Sequence, residues 1–348
     1  MKEVMSAADT LASRLRFGYS VMFLVAVVFA MSIFPFAARG NEKGDGGIKA
    51  GEEAYEAGEF PKAAQLLLAA ASAEPENAEI QLLLTKTHLE MLQYDAAIKS
   101  AERAVALQPK SSVYHEWLGR AYGERADHAS FVTALGFAKK TRREFEIAVE
   151  LDGNNFVARQ AVIEFDCAAP GIAGGGEDKA RPEIAQMAAL DAAEGHYATG
   201  NCRRQKKDFA TADVEFGQAL QGNLKSLERV CDIGDYAVRH EDATLLLAVA
   251  NLAAKLAPGD PRVKFYRAVA LVLQKQDAAG AEQQLGEYIK VAPARSGYPR
   301  ASLAHYWLGK LFENEGKESA ARSEYEIAWK QDPKNKSAEE AMKRLKKS

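Results

Sequence analysis

At 348 residues, with 47% apolar and 27% charged side chains, the chain can bury a large core and is too hydrophobic to stay disordered. A net charge of −3 leaves no electrostatic footprint for nucleic acid. Three cysteines (Cys167, Cys202 and Cys231) with no Cys-x-x-Cys pair exclude a disulfide framework, a zinc knuckle and a haem-attachment motif.

Residues 1–16 carry Arg14 and Arg16 and read as a cytoplasmic leader to the next segment. Residues 17–38, FGYSVMFLVAVVFAMSIFPFAA, contain no ionisable side chain. About 20 such residues span a bilayer as a helix, which supports a single transmembrane anchor. Pro35 and the small-x-small ending Ala38-Arg39-Gly40 support a cleaved signal peptide instead. Both readings stay open, and both export everything beyond Gly40. In a bacterium with two membranes the product is periplasmic, soluble after cleavage or anchored in the inner membrane. Residues 39–47, RGNEKGDGG, form a Gly-rich linker.

From Ile48 onward the composition is helical throughout, rich in Ala, Leu, Glu, Lys and Gln, and prolines punctuate the helices. The interval from Pro75 to Pro109 falls in the range of a helical solenoid repeat. Gly51 to Pro75, Gly234 to Pro258 and Gly309 to Pro333 are one and the same shorter interval. Small or apolar residues recur within it at matching offsets: Ala63 and Ala70, Leu246 and Ala253, Ala321 and Ala328. The phrases YHEWLGRAYG at Tyr114 and HYWLGKLFE at His305 occupy one repeat position.

This pattern resembles the tetratricopeptide repeat family. The resemblance implies an all-α, right-handed superhelical solenoid of about eight helix pairs over residues 48–335. Residues 336–348, ending in the lysine-rich KRLKKS, read as a polar capping helix. In each unit the glycine lets the first helix approach the second, and proline closes the unit.

Two units depart from the period. The stretch from Gly119 to Gly153 is ten longer than the glycine-to-proline interval elsewhere, which places an insert near residues 123–140. Lengthened helices or an added short helix would accommodate it. A second insert, CAAPGIAGGGEDKARP, lies near residues 168–181. Its Gly171 and Gly176 have the spacing of a phosphate loop, but Glu177 stands where the lysine is needed, so an inter-helix loop is expected. His115, His196 and His305 share one repeat position, so they are spread along the array and do not cluster round a metal. No nucleophile–base pair or carboxylate pair stands out, and no cofactor is implied. Cys202 and Cys231 fall on neighbouring helices at offsets unsuited to a disulfide, and read as small buried residues.

In similar arrays the inner groove is lined three residues before and one after the repeat glycine. Those positions hold Leu82, Lys86, Glu116, Arg120, Tyr197, Asn201, Tyr266, Tyr306 and Lys310. Tyrosines among Lys, Arg and Asn suit an extended peptide, while the family's carboxylate clamp is matched by Asn201 alone. The expectation is a non-enzymatic scaffold or adaptor that binds a protein or peptide in the cell envelope through this groove. Membrane contact is expected through residues 17–38 only, and self-association is possible for an array of this kind. The alternative is an enzyme or ligand sensor whose site is built by the two inserts.

Overall fold

The computed structural model describes residues 45–169 and 174–345. These form 17 helices joined by short connections, with no strand among the described residues. The chain divides at Lys179 into two compact units, each described by itself. The apolar run at 17–38 lies outside the described residues, among which no helix is long and apolar enough to cross a membrane.

The N-terminal unit contains α1 (Asp45–Glu56), α2 (Phe60–Ala73), α3 (Ala78–Glu90), α4 (Tyr94–Leu107), α5 (Ser112–Asp127), α6 (Phe131–Leu151) and α7 (Phe156–Ala168). The first six pack as three consecutive antiparallel pairs. Helix α8 (Glu177–Leu190) begins at the division, and the remaining helices belong to the C-terminal unit. They are α9 (Ala192–Gln205), α10 (Phe209–Gln221), α11 (Leu227–His240), α12 (Ala243–Leu256), α13 (Arg262–Gln274), α14 (Ala278–Val291), α15 (Ala301–Asn314) and α16 (Glu318–Gln331), which form four pairs, followed by α17 (Lys336–Leu345). The fourth pair expected from the sequence, α7 with α8, falls on either side of the division. The linker is shorter than expected: Asp45, Gly46 and Gly47 already belong to α1, where Gly47 lies close to Ala70.

Local chemistry explains the boundaries. Two residues after each of three closing prolines stands a capping side chain that accepts from the next helix's first free amides. Asn77 caps α3, Ser111 caps α5 and Asn335 caps α17. The repeat glycines are sites of close approach. A Cβ on Gly51 would lie 2.7 Å from Leu67, one on Gly200 2.6 Å from Phe216, and one on Gly309 2.6 Å from Tyr325. Each partner follows its glycine at the same interval, on the second helix of the pair. In the pair α5–α6 the glycine is Gly119 and the partner is Phe145, at an interval ten longer, so the extra residues leave this contact in place.

Those ten residues lengthen existing helices; they do not add one. Measured against α3 and α4, with 13 and 14 residues, α5 has 16 and α6 has 21. The turn between them keeps three residues in both pairs. The hairpin is therefore extended at its turn end.

Candidate partner-binding surface

The open surface of the N-terminal unit is built round Trp117 on α5. Its partly exposed indole lies between two cations, with Lys86 Nζ of α3 at 5.1 Å from the ring centroid and the Arg120 guanidinium at 4.8 Å. Helical geometry places Arg120 one turn beyond Trp117, and Lys86 holds the register of Arg120 one repeat earlier. Burial lowers the Lys86 pKa, and the positive charge of Arg120 lowers it further. Arg120 is steadied by Glu116 at 3.0 Å. Glu116 in turn accepts from Asn155, the capping residue of α7, at 3.1 Å.

The sequence-predicted groove residues divide into two groups. Lys86, Arg120, Tyr306 and Lys310 keep part of their surface open, as does Leu82. Glu116, Tyr197, Asn201 and Tyr266 are buried and do not face a partner. Glu116, Tyr197 and Tyr266 bond residues of an adjoining repeat, whereas Leu82 and Tyr306 at the same repeat position stay partly open. Tyr197 donates to Asp232, 35 residues on, at 2.9 Å. The Tyr266 hydroxyl donates to Asp235 at 2.7 Å and lies 3.0 Å from the Cys231 carbonyl oxygen. Tyr266 is drawn in because the residue in the covering position for Gly234 is Ala250, too small to fill the space, and the Tyr266 ring occupies it instead. Asn201 is fully buried with both side-chain polar atoms unbonded, so it does not present an amide to a carboxylate ligand.

In the C-terminal unit, Tyr306 packs against Trp307 and Tyr325 with ring centroids at 5.6 Å. Lys310 bridges to Glu241 at 2.7 Å and lies 5.0 Å from the Trp307 ring centroid. Tyr306 and Lys310 remain the accessible part of the expected groove here.

Sequence reasoning passed over Trp117, although Trp-Leu-Gly-Arg carries the signal: an aromatic ring three residues before a cation on one helical face. The repeated histidines are spread along the array as expected, and each has a specific partner. His115, His196 and His305 bond Glu144, Glu215 and Glu324 through Nδ1 at 2.6, 2.8 and 2.7 Å. The His-to-Glu interval is 19 in two pairs and 29 in the lengthened one. These bonds tie the first helix of a pair to the second.

Around the inserts, the described residues enclose a cavity of about 10 Å³, lined by Gly123, Ala126, Asp127, Ala138, Thr141, Ala161 and Phe165. That volume is of the order needed for one water molecule and is far below the several hundred Å³ of an organic-ligand site. Residues 170–173 of the glycine-rich insert lie outside the described residues. Cys231 is a free buried thiol whose pKa burial pushes up to about 12, so it is not paired with Cys202. Among the described residues no group of His, Cys, Asp and Glu is arranged to hold a metal ion.

Two family models described as tetratricopeptide repeat match the sequence, at residues 54–121 and 273–336. No curated protein sequence matches it. Among solved structures, yeast Tom70 aligns over 99% of this chain and 71% of its own, at 15% identity with a TM-score of 0.54. A thermophilic tetratricopeptide protein from Thermus thermophilus aligns over 66% of this chain and 99% of its own, at 17% identity with a TM-score of 0.44. A tetratricopeptide repeat protein from Parabacteroides merdae aligns over 87% and 98%, at 13% identity with a TM-score of 0.39. The first match includes the closing prolines Pro75 and Pro109, the second includes Pro333 and the Gly309–Tyr325 contact, and these two segments are tetratricopeptide repeats.

Proposed function

We propose that the protein is a non-enzymatic scaffold that holds a protein or peptide partner in the cell envelope. Its repeats are interaction modules, and the finer reading rests on one observation. Trp117, clasped by Lys86 and Arg120, is an aromatic face between two cations that core packing leaves open. Such a face suits a peptide segment that brings a carboxylate to the cations and an apolar side chain to the ring. Tyr306 and Lys310 offer similar chemistry in the C-terminal unit. Export through the apolar run at 17–38 would put this surface outside the cytoplasm, in the periplasm of a cell with two membranes.

The test is affinity capture from gently solubilised envelopes with the full chain as bait, beside a Lys86→Glu/Arg120→Glu control. Tyr197→Ala and Tyr266→Ala are unsuitable controls because both rings are core. A defined set of proteins captured by the native bait and lost by the control is expected. Equal capture by both baits would remove this surface from consideration.

A further inference from the structure

The lengthened α5–α6 hairpin has a use that the partner-binding surface does not explain. The first seven residues of α6, 131–137, are its extra length over α4, about 10 Å of helix at the turn end. Two of their four large apolar side chains turn inward. Leu135 packs on Ala138, Phe165 and Ala169, and Phe137 packs on Tyr122 at a centroid distance of 6.0 Å. The other two face outward at the end of the helix: Phe131 is 43% exposed and Val132 80%. Elsewhere among the described residues no two successive positions are both large, apolar and exposed.

On α6 itself the charge that follows this pair is basic. From His128 to Arg143 the chain carries Lys139, Lys140, Arg142 and Arg143 and no acidic residue, although the whole molecule is net negative. Val132, Gly136, Lys139 and Arg143 follow at spacings of 4, 3 and 4 and form a single exposed helical stripe. Arg142 is held by Asp166 at 3.2 Å and by Glu146, so it serves the fold. Lys140 lies over the Tyr122 and Phe137 rings. Arg143 reaches Glu150 at 3.6 Å with both side chains largely exposed, a pairing that solvent and salt screen. Of the acidic groups on the packed helices, Glu144 bonds His115, Glu102 the Tyr122 hydroxyl and Asp95 pairs with Arg125, while Glu124 and Asp127 at the end of α5 are partly buried.

We propose that the tip of this hairpin is a membrane contact, an apolar end that enters an anionic lipid surface while Lys139, Lys140 and Arg143 meet its headgroups. The seven-residue interval from Val132 to Lys139 is about 10 Å along the helix. That matches the roughly 5–10 Å by which interfacial apolar groups enter the headgroup–acyl boundary while cations stay at the phosphates. Charge complementarity favours lipid phosphate over a second copy of this chain, whose net charge is only −3. The contact is additional to any made by the apolar run at 17–38 and would hold the array at a defined attitude to the bilayer.

Tryptophan at position 132 reports the contact directly. The full chain carrying Val132→Trp is mixed with vesicles of phosphatidylcholine alone, or with roughly one third phosphatidylglycerol, whose acyl chains are brominated. Val214→Trp, at an exposed site on α10, is the comparison, and the unsubstituted chain supplies the background from Trp117, Trp307 and Trp329. Quenching at 132 is expected to exceed that at 214 by about two-fold in the anionic vesicles only. Lys139→Glu/Lys140→Glu should abolish the difference, and so should high salt. Equal quenching at both positions would overturn the proposal, as would quenching indifferent to phosphatidylglycerol. So would crosslinking from position 132 to an acidic protein or to another copy in place of lipid contact. Flotation with zwitterionic vesicles separately reports the apolar run, so failure of the anchor and failure of the tip give different results.

Discussion

At the level of single residues, space decides what each glycine does. A methyl group on Gly309 would meet the Tyr325 ring at 2.6 Å, and the ring is fully buried and has nowhere to move. Gly309→Ala should therefore destabilise the protein by about 1–3 kcal/mol in urea titrations. Gly217, in the interior of α10, has open space where its Cβ would be. Gly217→Ala should stabilise by about 0.5–1 kcal/mol, so the same substitution changes sign between the two sites. The Leu-Gly motif was legible in the sequence, but the ring that fills each glycine's space was not. Gly234 shows why: its cover, Tyr266, comes from the next repeat because Ala250 is too small.

Asp235 gives a pH dependence at the same level. Burial, the largest effect, pushes its carboxyl up to about 6, against the Tyr266 hydrogen bond that favours the charged form. The unfolded carboxyl titrates near 3.9, so the folded protein binds this proton more tightly. The resulting stability is fully present below about pH 3.9 and is lost as pH rises through about 6. Asp235→Asn keeps an acceptor for Tyr266 without the charge. Its stability relative to the native protein should rise between pH 4 and pH 7, by up to about 2–3 kcal/mol. Denaturant titrations at several pH values check this, and a difference that stays flat with pH would contradict it.

Among the helices and turns, the connections inside the pairs share a backbone requirement that composition conceals. Several pass through a left-handed residue, which is glycine at Gly58 and Gly316 but Leu92, Lys207, Glu241 and Lys275 elsewhere. A side chain in that conformation costs roughly 1–2 kcal/mol, partly offset by the freedom glycine adds to the unfolded chain. Lys207→Gly should therefore raise stability by about 0.5–1 kcal/mol, read as a higher Tm. The insert in the third pair was legible as ten extra residues, because the glycine-to-glycine interval counts them. Their division, three on α5 and seven on α6, was not, because a helical sequence continues equally well on either side of a turn. The periodic histidines were visible too, but their glutamates sit on another helix and only packing brings them together.

Over the chain as a whole, the array needs a finished end. Helix α17 buries Ala338 and Ala341 against α16, and Arg344 bonds Glu313 at 2.6 Å. Removing residues 336–348 would uncover Ala321, Tyr325 and Tyr306 and should cost about 2–4 kcal/mol. Hydrogen exchange should then quicken in α15 and α16 and stay unchanged in α1–α6, since repeat stability is carried by nearest neighbours. Exchange that quickened equally in both units would contradict that locality. The division at Lys179 falls within the second insert, near residues 168–181.

Intervals along the chain were enough to set the helical class, the repeat period, the place of the closing prolines and the size of the insert in the third pair. Such features need no knowledge of neighbours in space. Which side chains at the expected groove positions stay open is a matter of packing between helices. Tyr197, Asn201, Tyr266 and Glu116 share register with Tyr306, Lys310 and Arg120, yet they are buried. Exposure at a repeat position depends on the size of the residues opposite it on adjoining helices, and those residues lie a whole repeat away in the sequence.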